Sequence, residues 1–258
     1  MPEAFYEAVD GAFSATEQTR GPWAATDQHA GPPTALIGRE IELLVGPEWH
    51  LGRLTVEILG PIPIAPMRLE ARIVRPGRRV QLVEAELFSA QTPLARARAW
   101  VLRRRETGTR GPQGDITRAA DPAEAVEKPF FDTGYDRGYH TAMEIRFLEG
   151  GFLDRGPAAA WMRMRGSLVG GEDPSALSRV LVAADVGNGI SGTLDQREFL
   201  FVNTDLTVNL IRNPVGDWVL VDARTLVGPE GIGLAESVLS DREGPIGRAT
   251  QTLLIAER

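Results

Sequence analysis

The sequence contains no cysteine, which excludes disulfides, thiolate metal sites and a cysteine nucleophile together. Histidine is scarce: His29, His50 and His140 are far apart and in no metal-ligand spacing, so neither a metal nor a redox cofactor is expected. Lys128 is the single lysine among 28 basic residues, a bias toward arginine that GC-rich coding explains without anion binding. No stretch approaches the roughly 20 apolar residues of a membrane-spanning helix. The acidic opening MPEAFYEAVDG also lacks the apolar run of a signal peptide. A cytoplasmic chain with no membrane partner is therefore expected. A net charge of −7 leaves no electrostatic reason to expect nucleic acid as a partner.

What is present reads as globular: 258 residues, 43% hydrophobic and 24% charged, enough for one large domain or two ordinary ones. An internal repeat decides between them. An offset of 152 residues brings Leu54-Thr55-Val56 onto Leu206-Thr207-Val208 and Ala71-Arg72 onto Ala223-Arg224. Without a gap it also aligns Glu84 with Glu236, Pro93 with Pro245, and Arg96-Ala97 with Arg248-Ala249. Twelve of the 49 positions from Leu54 to Leu102 are identical, where chance gives roughly three or four. The chain is a duplication.

Each copy predicts a four-stranded antiparallel meander. LTVEIL, RLEARIV, VQLVEAELFS and LARARAWVL make the first; LTVNLI, WVLVDARTL, GIGLAESVLS and IGRATQTLL make the second. Turns bearing Pro or Gly separate them. A helix precedes each meander, opened by Pro33-Thr34-Ala35-Leu36 and by Pro174-Ser175-Ala176-Leu177, with Asp173 as the N-cap of the second. One further strand is expected ahead of each helix, in FYEAV and AAAWMRMRGS. The polar, Gly- and Pro-rich stretch 106–128 reads as a linker between halves 1–105 and 129–258. The class is α+β.

The phrases LVAADVGNGIS, FVNTDLTVNLIRNPVGDW and GPIGRATQTLL resemble the C-terminal half of type II acyl-CoA thioesterases, and DQHAGPPTAL resembles the start of the central helix in their N-terminal half. The resemblance spans nearly the whole chain apart from the linker. It implies two fused hotdog domains, each a long helix wrapped by a curled antiparallel sheet. It also implies a water held by an Asp, a Thr or Ser, and a Gln. At matching positions these are Asp185, Asn203 and Gln251, so an Asn stands where the family has a hydroxyl. The family's sites lie between hotdogs, which places Gly31 opposite Asp185.

The residues point the same way on their own. The repeat sets Leu44 opposite Asp185, Leu51 opposite Asn203 and Ala99 opposite Gln251, so scaffold positions apolar in one half are polar in the other. Such polar groups are costly if buried without purpose. Asp185 also shares a helical stripe with Leu177 and Leu181, near a helix C-terminus where negative charge opposes the dipole. His29-Ala30-Gly31 precede the first helix, where backbone N–H groups favour developing negative charge, as a thioester oxyanion requires.

Three motifs are decoys. Gly187 to Gly192 fits a dinucleotide-binding pattern but follows a helix, not a strand. Asp132-Thr133-Gly134 lacks a second carboxylate, and Ser191 lacks a downstream histidine. The arginines Arg75, Arg78, Arg79, Arg103, Arg104 and Arg105 read as a solvated face. The expected function is hydrolysis of an acyl-CoA thioester, fatty acyl by expectation, with coenzyme A entering only as part of the substrate. The alternative is a non-catalytic acyl-CoA or lipid-binding double hotdog. A hotdog hydratase is disfavoured because no helix carries an Asp–His pair. Open sheet faces lead us to expect a homodimer or larger homo-oligomer.

Overall fold

The structure is a computed structural model and describes residues 3–108 and 121–258. The N-terminal half runs β1 (Tyr6–Val9), β2 (Ala12–Ala15), α1 (Gly31–Val45), β3 (Trp49–Ile58), β4 (Pro66–Arg75), β5 (Val80–Ser89) and β6 (Thr92–Arg103). The C-terminal half runs α2 (Tyr139–Ala142), β7 (Met143–Glu149), β8 (Ala158–Met164), α3 (Ala176–Ala184), α4 (Gly187–Ile190) and β9 (Phe199–Asn203). It continues through β10 (Asp205–Leu210), β11 (Val219–Val227), β12 (Ile232–Asp241) and β13 (Gly244–Glu257). The strands join in one sheet, ordered β1-β2-β4-β5-β6-β3-β10-β13-β12-β11-β8-β7, with β9 also on β13. The order is a palindrome, as two fused hotdog units require.

The 152-residue offset is also the structural register. Arg72 pairs with Glu84 as Arg224 pairs with Glu236, and Val83 pairs with Ala99 as Ala235 pairs with Gln251. The pseudo-twofold axis falls where β3 meets β10: Thr55 and Thr207, equivalent under the offset, face each other with hydroxyls 3.0 Å apart. Alternate residues of each strand turn inward onto α1 and α3, so Leu54, Val83, Leu87, Leu206, Val221 and Leu239 are all buried in one continuous core.

The two long helices pack antiparallel. Gly31 lies against Val182, Gly38 against Leu181, and Glu42 against Ser175. The glycines permit the close approach: a Cβ on Gly31 would meet the Val182 carbonyl oxygen at 2.5 Å, and one on Gly38 would meet Leu181 Cδ1 at 2.2 Å. The start of α1 is thereby laid against the end of α3, which builds the site.

Several boundaries differ from expectation. The expected single strand ahead of each helix is a hairpin in both halves, because Asp10 and Gly11 both adopt positive φ and fold β1 onto β2, while β7 pairs with β8. The N-cap of α3 is Ser175, whose Oγ accepts from the Ser178 amide; Asp173 lies outside the helix. Part of the expected linker, residues 109–120, lies outside the described residues. Residues 121–128 are docked: Ala125 is buried with Trp161 and Leu220, and Val126 bridges to Phe147. Among the described residues no helix is long and apolar enough to cross a membrane.

Candidate active site

Asp185 caps α3 at its C-terminus and is 4% exposed. Its Oδ1 accepts from Asn203 Nδ2 at 2.9 Å and from Gln251 Nε2 at 3.0 Å. Its Oδ2 lies 3.1 Å from His29 Nδ1. The amides of Ala30 and Gly31, at the start of α1, lie on the same side and favour the charged form of the carboxylate. All six residues singled out in the sequence therefore meet in one cluster, His29, Ala30 and Gly31 from one half and Asp185, Asn203 and Gln251 from the other.

Local structure explains each placement. Asn203 ends β9, and the pairing of β13 slips by one residue between Asn203 and Asp205. This bulge at Thr204 lets Asn203 and Leu206, three apart, both face the helices; an unbroken strand would aim Asn203 outward. The other half repeats the bulge at Gly52, between Leu51 and Arg53. Gln251 points inward from the middle of β13 and is 1% exposed. Its amide orientation is set from both ends: Nε2 donates to the side chain and carbonyl of Asp185, and Oε1 accepts from the Asn188 amide at 3.1 Å. Gly187 leaves room for this, since a Cβ there would meet Ser237 Oγ at 2.7 Å and Gln251 Oε1 at 3.1 Å.

His29 is fixed by its neighbours. Its amide donates to the Thr19 carbonyl at 2.7 Å, and its ring stacks on Tyr139 with centroids 3.8 Å apart and planes 3° from parallel. The Tyr139 hydroxyl donates to the Val182 carbonyl at 2.9 Å. Tyr139 was not anticipated; it precedes β7 with no periodicity to mark it, and only the fold brings it to His29.

Burial dominates the electrostatics. It pushes the Asp185 carboxyl from 3.8 up to about 7, against the hydrogen bonds from Asn203, Gln251, Gly31 and Ala30. It drives His29 from 6.5 down to about 3. The hydrogen bonds agree with those directions. The Gly31 N–H donates to His29 Nδ1 at 3.1 Å, so Nδ1 carries a lone pair, and a second lone pair on Asp185 Oδ2 would repel it. A hydrogen bond across the pair therefore requires a proton on the carboxyl, the form that burial favours. The Asp–His pair absent from any single helix is assembled between the segment ahead of α1 and the C-terminal end of α3.

The opposite end of the helix pair differs. Leu51 and Ala99 are buried apolar packing, but Leu44 is 42% exposed and is no counterpart of Asp185. The carboxylate there belongs to Glu42, which accepts from Ser175 Oγ at 2.6 Å. Among the described residues no group of three or more His, Asp or Glu is arranged to hold a metal.

Sequence profiles of known families cover both halves. Residues 19–102 match an acyl-CoA thioesterase N-terminal domain, and residues 118–255 match an acyl-CoA thioesterase C-terminal domain. The chain belongs to the acyl-CoA thioesterase family. No curated protein matches it in sequence. Among solved structures, this thioesterase-family chain is similar to a hotdog-fold protein of unknown function from Alicyclobacillus acidocaldarius, with 18% identity and a TM-score of 0.74 over 96% of this chain and 95% of that one. An acyl-CoA thioesterase II from Mycobacterium marinum is 12% identical, with a TM-score of 0.68 over 98% and 96% of the two chains. At such identities the likeness shows the fold alone.

Proposed function

We propose that this chain hydrolyses an acyl-CoA thioester by direct attack of water, in the manner of the type II thioesterases, with one site between residues 1–105 and 129–258. The observation that carries the reading is the buried Asp185 carboxyl, held through Oδ1 by two amides with Oδ2 facing His29. In its ionised form Oδ2 takes a proton from water as the water oxygen bonds to the thioester carbon. The C–S bond then breaks, and the proton passes from Asp185 to the departing sulfur, leaving the acid and the free thiol. His29 Nδ1 positions that proton throughout. The amides of Ala30 and Gly31 stabilise the oxyanion, which requires Gly31 to exchange its bond to His29 for one to the substrate. A value of about 7 for Asp185 keeps base and acid forms both populated at neutral pH.

Asn203 favours a second reading, a non-catalytic acyl-CoA-binding protein, because its amide is spent on Asp185 rather than offered to water. One experiment separates them: a single turnover of acyl-CoA in ¹⁸O-water, following thiol release and the label in the acid. Direct hydrolysis places one ¹⁸O in the first acid released. Unlabelled first-turnover acid means an acyl-enzyme, and absence of thiol release means a binding protein.

A further inference from the structure

Beside the Asp185–His29 pair lies a cavity that the hydrolytic groups leave unused. The His29 ring, Val186 and Gly189 form its floor. Pro22, Trp23, Phe130, Phe131, Tyr139 and Phe152 form its walls. The walls are a packed aromatic array: Phe130 stacks on Phe131 at 4.1 Å and on His140 at 4.6 Å between centroids, and meets Phe152 edge-on at 4.5 Å. Of the polar groups nearby, His140 and Gln196 lie at the lining while two others are committed elsewhere. Tyr139 donates to the Val182 carbonyl, and the Arg20 guanidinium is held by Glu17 and by the carbonyls of Ala25 and Arg137. The space open to the centre of a water-sized sphere is about 30 Å³, a narrow cleft once the radius of an occupant is added, and an apolar cavity of that kind takes hydrocarbon rather than water.

We infer that this cavity seats the acyl group of the substrate and selects a compact one, a few carbons or a single aromatic ring, over a long fatty chain. The inference rests on the thioesterase reading above. A thioester carbon within reach of Asp185 and His29 has this apolar opening next to it. The lining is mostly aromatic and aliphatic, which suits an acyl group because it needs no hydrogen-bond partner. Trp23, Phe130, Phe131 and Phe152 also line a wider groove of about 680 Å³ that takes in Leu194 and Arg258. Phe130 and Phe131, carried on the irregular segment that follows Lys128, line both spaces, and theirs is the bulk that a longer chain has to displace.

The test is a chain-length profile of kcat/KM with acetyl-, butyryl-, octanoyl-, palmitoyl- and benzoyl-CoA. Each methylene that fits raises kcat/KM roughly fourfold, until the chain meets Phe130. Butyryl- or benzoyl-CoA is expected to exceed palmitoyl-CoA by roughly tenfold or more. Phe130→Ala, and the milder Phe130→Leu should the first not fold by circular dichroism, is expected to move the optimum toward octanoyl-CoA. A wild-type preference for palmitoyl-CoA, or a folded Phe130 variant with the wild-type profile, overturns the inference. Should no thioester be turned over, the hydrolytic reading fails by itself, and calorimetry with the thioethers S-butyl-CoA and S-hexadecyl-CoA decides the cavity. Tighter binding of the butyl compound supports it; tighter hexadecyl binding, or none of either, overturns it.

Discussion

Replacing Asp185 with Asn should change how stability depends on pH, in a way set by the proton its carboxyl holds. Asp185 is raised when folded, so alone it lends stability below 3.8 that is lost as pH rises through about 7. His29 is depressed when folded, so alone it lends stability above 6.5 that is lost as pH falls toward 3. Between roughly 4 and 6.5 the two slopes cancel. The unfolded chain holds one proton on His29, the folded chain holds one on Asp185, and folding only relocates it. In Asp185→Asn the His29 slope stands alone, near 1.4 kcal/mol per pH unit. At pH 8 the variant gains instead, because an ionised buried carboxylate is gone. The ceiling is roughly 4 kcal/mol, from the rise of 3.8 to about 7. We expect about 1–3 kcal/mol, since Ala30 and Gly31 lose a charged acceptor. The assay is urea unfolding at pH 8, 6.5 and 5. The variant should lead wild type at pH 8; His29 is common to both, so the lead follows Asp185 and shrinks by about 2.7 kcal/mol at pH 5. A constant difference across these pH values would refute the raised Asp185 carboxyl.

Three further outcomes follow from the packing. Gly187→Ala drives a methyl toward Ser237 Oγ and Gln251 Oε1; it should cost about 1–3 kcal/mol in urea unfolding and lower kcat, and unchanged kinetics would show that Gln251 has slack. Gly38→Ala gains about 1 kcal/mol of helix propensity but meets Leu181 at 2.2 Å, so a net loss of Tm is expected, and a rise would contradict the close helix approach. Leu226, Leu234, Ile232, Leu254 and Val202 are exposed on neighbouring strands of the outer sheet face; if copies of the chain associate there, Leu234→Lys should lower the mass seen by light scattering, and an unchanged oligomer would place the interface elsewhere.

The duplication was legible because strand register preserves residue spacing: one offset aligns the identities and also the matched ladder pairs, save at the irregularity between Ile73 and Arg75. The polar-for-apolar exchanges at Asn203 and Gln251 were legible for the same reason. Leu44 was misjudged because that equivalence was carried from the helix start. The helix α1 runs unbroken to Val45, whereas α3 stops at Ala184 and resumes as α4 at Gly187, so positions near the helix ends are not equivalent. The β1–β2 hairpin was missed although Asp10-Gly11 is a strong turn signal, because four-residue strands leave too little alternation to count. The stacking of Tyr139 on His29, and the bulge that turns Asn203 inward, depend on contacts between distant segments and leave no local pattern.

The central claim is that the Asp185 carboxylate activates the hydrolytic water, and its most direct measurement is kcat/KM for one acyl-CoA in wild type and Asp185→Asn, by release of the free thiol. Asn keeps the size and both amide contacts but cannot take a proton. A loss of roughly 10²–10⁴-fold is predicted for removal of a general base, together with a wild-type rate that rises with pH through about 7 as Asp185 ionises. An Asp185→Asn protein that releases thiol at the wild-type rate would contradict the account and leave the carboxyl a structural group.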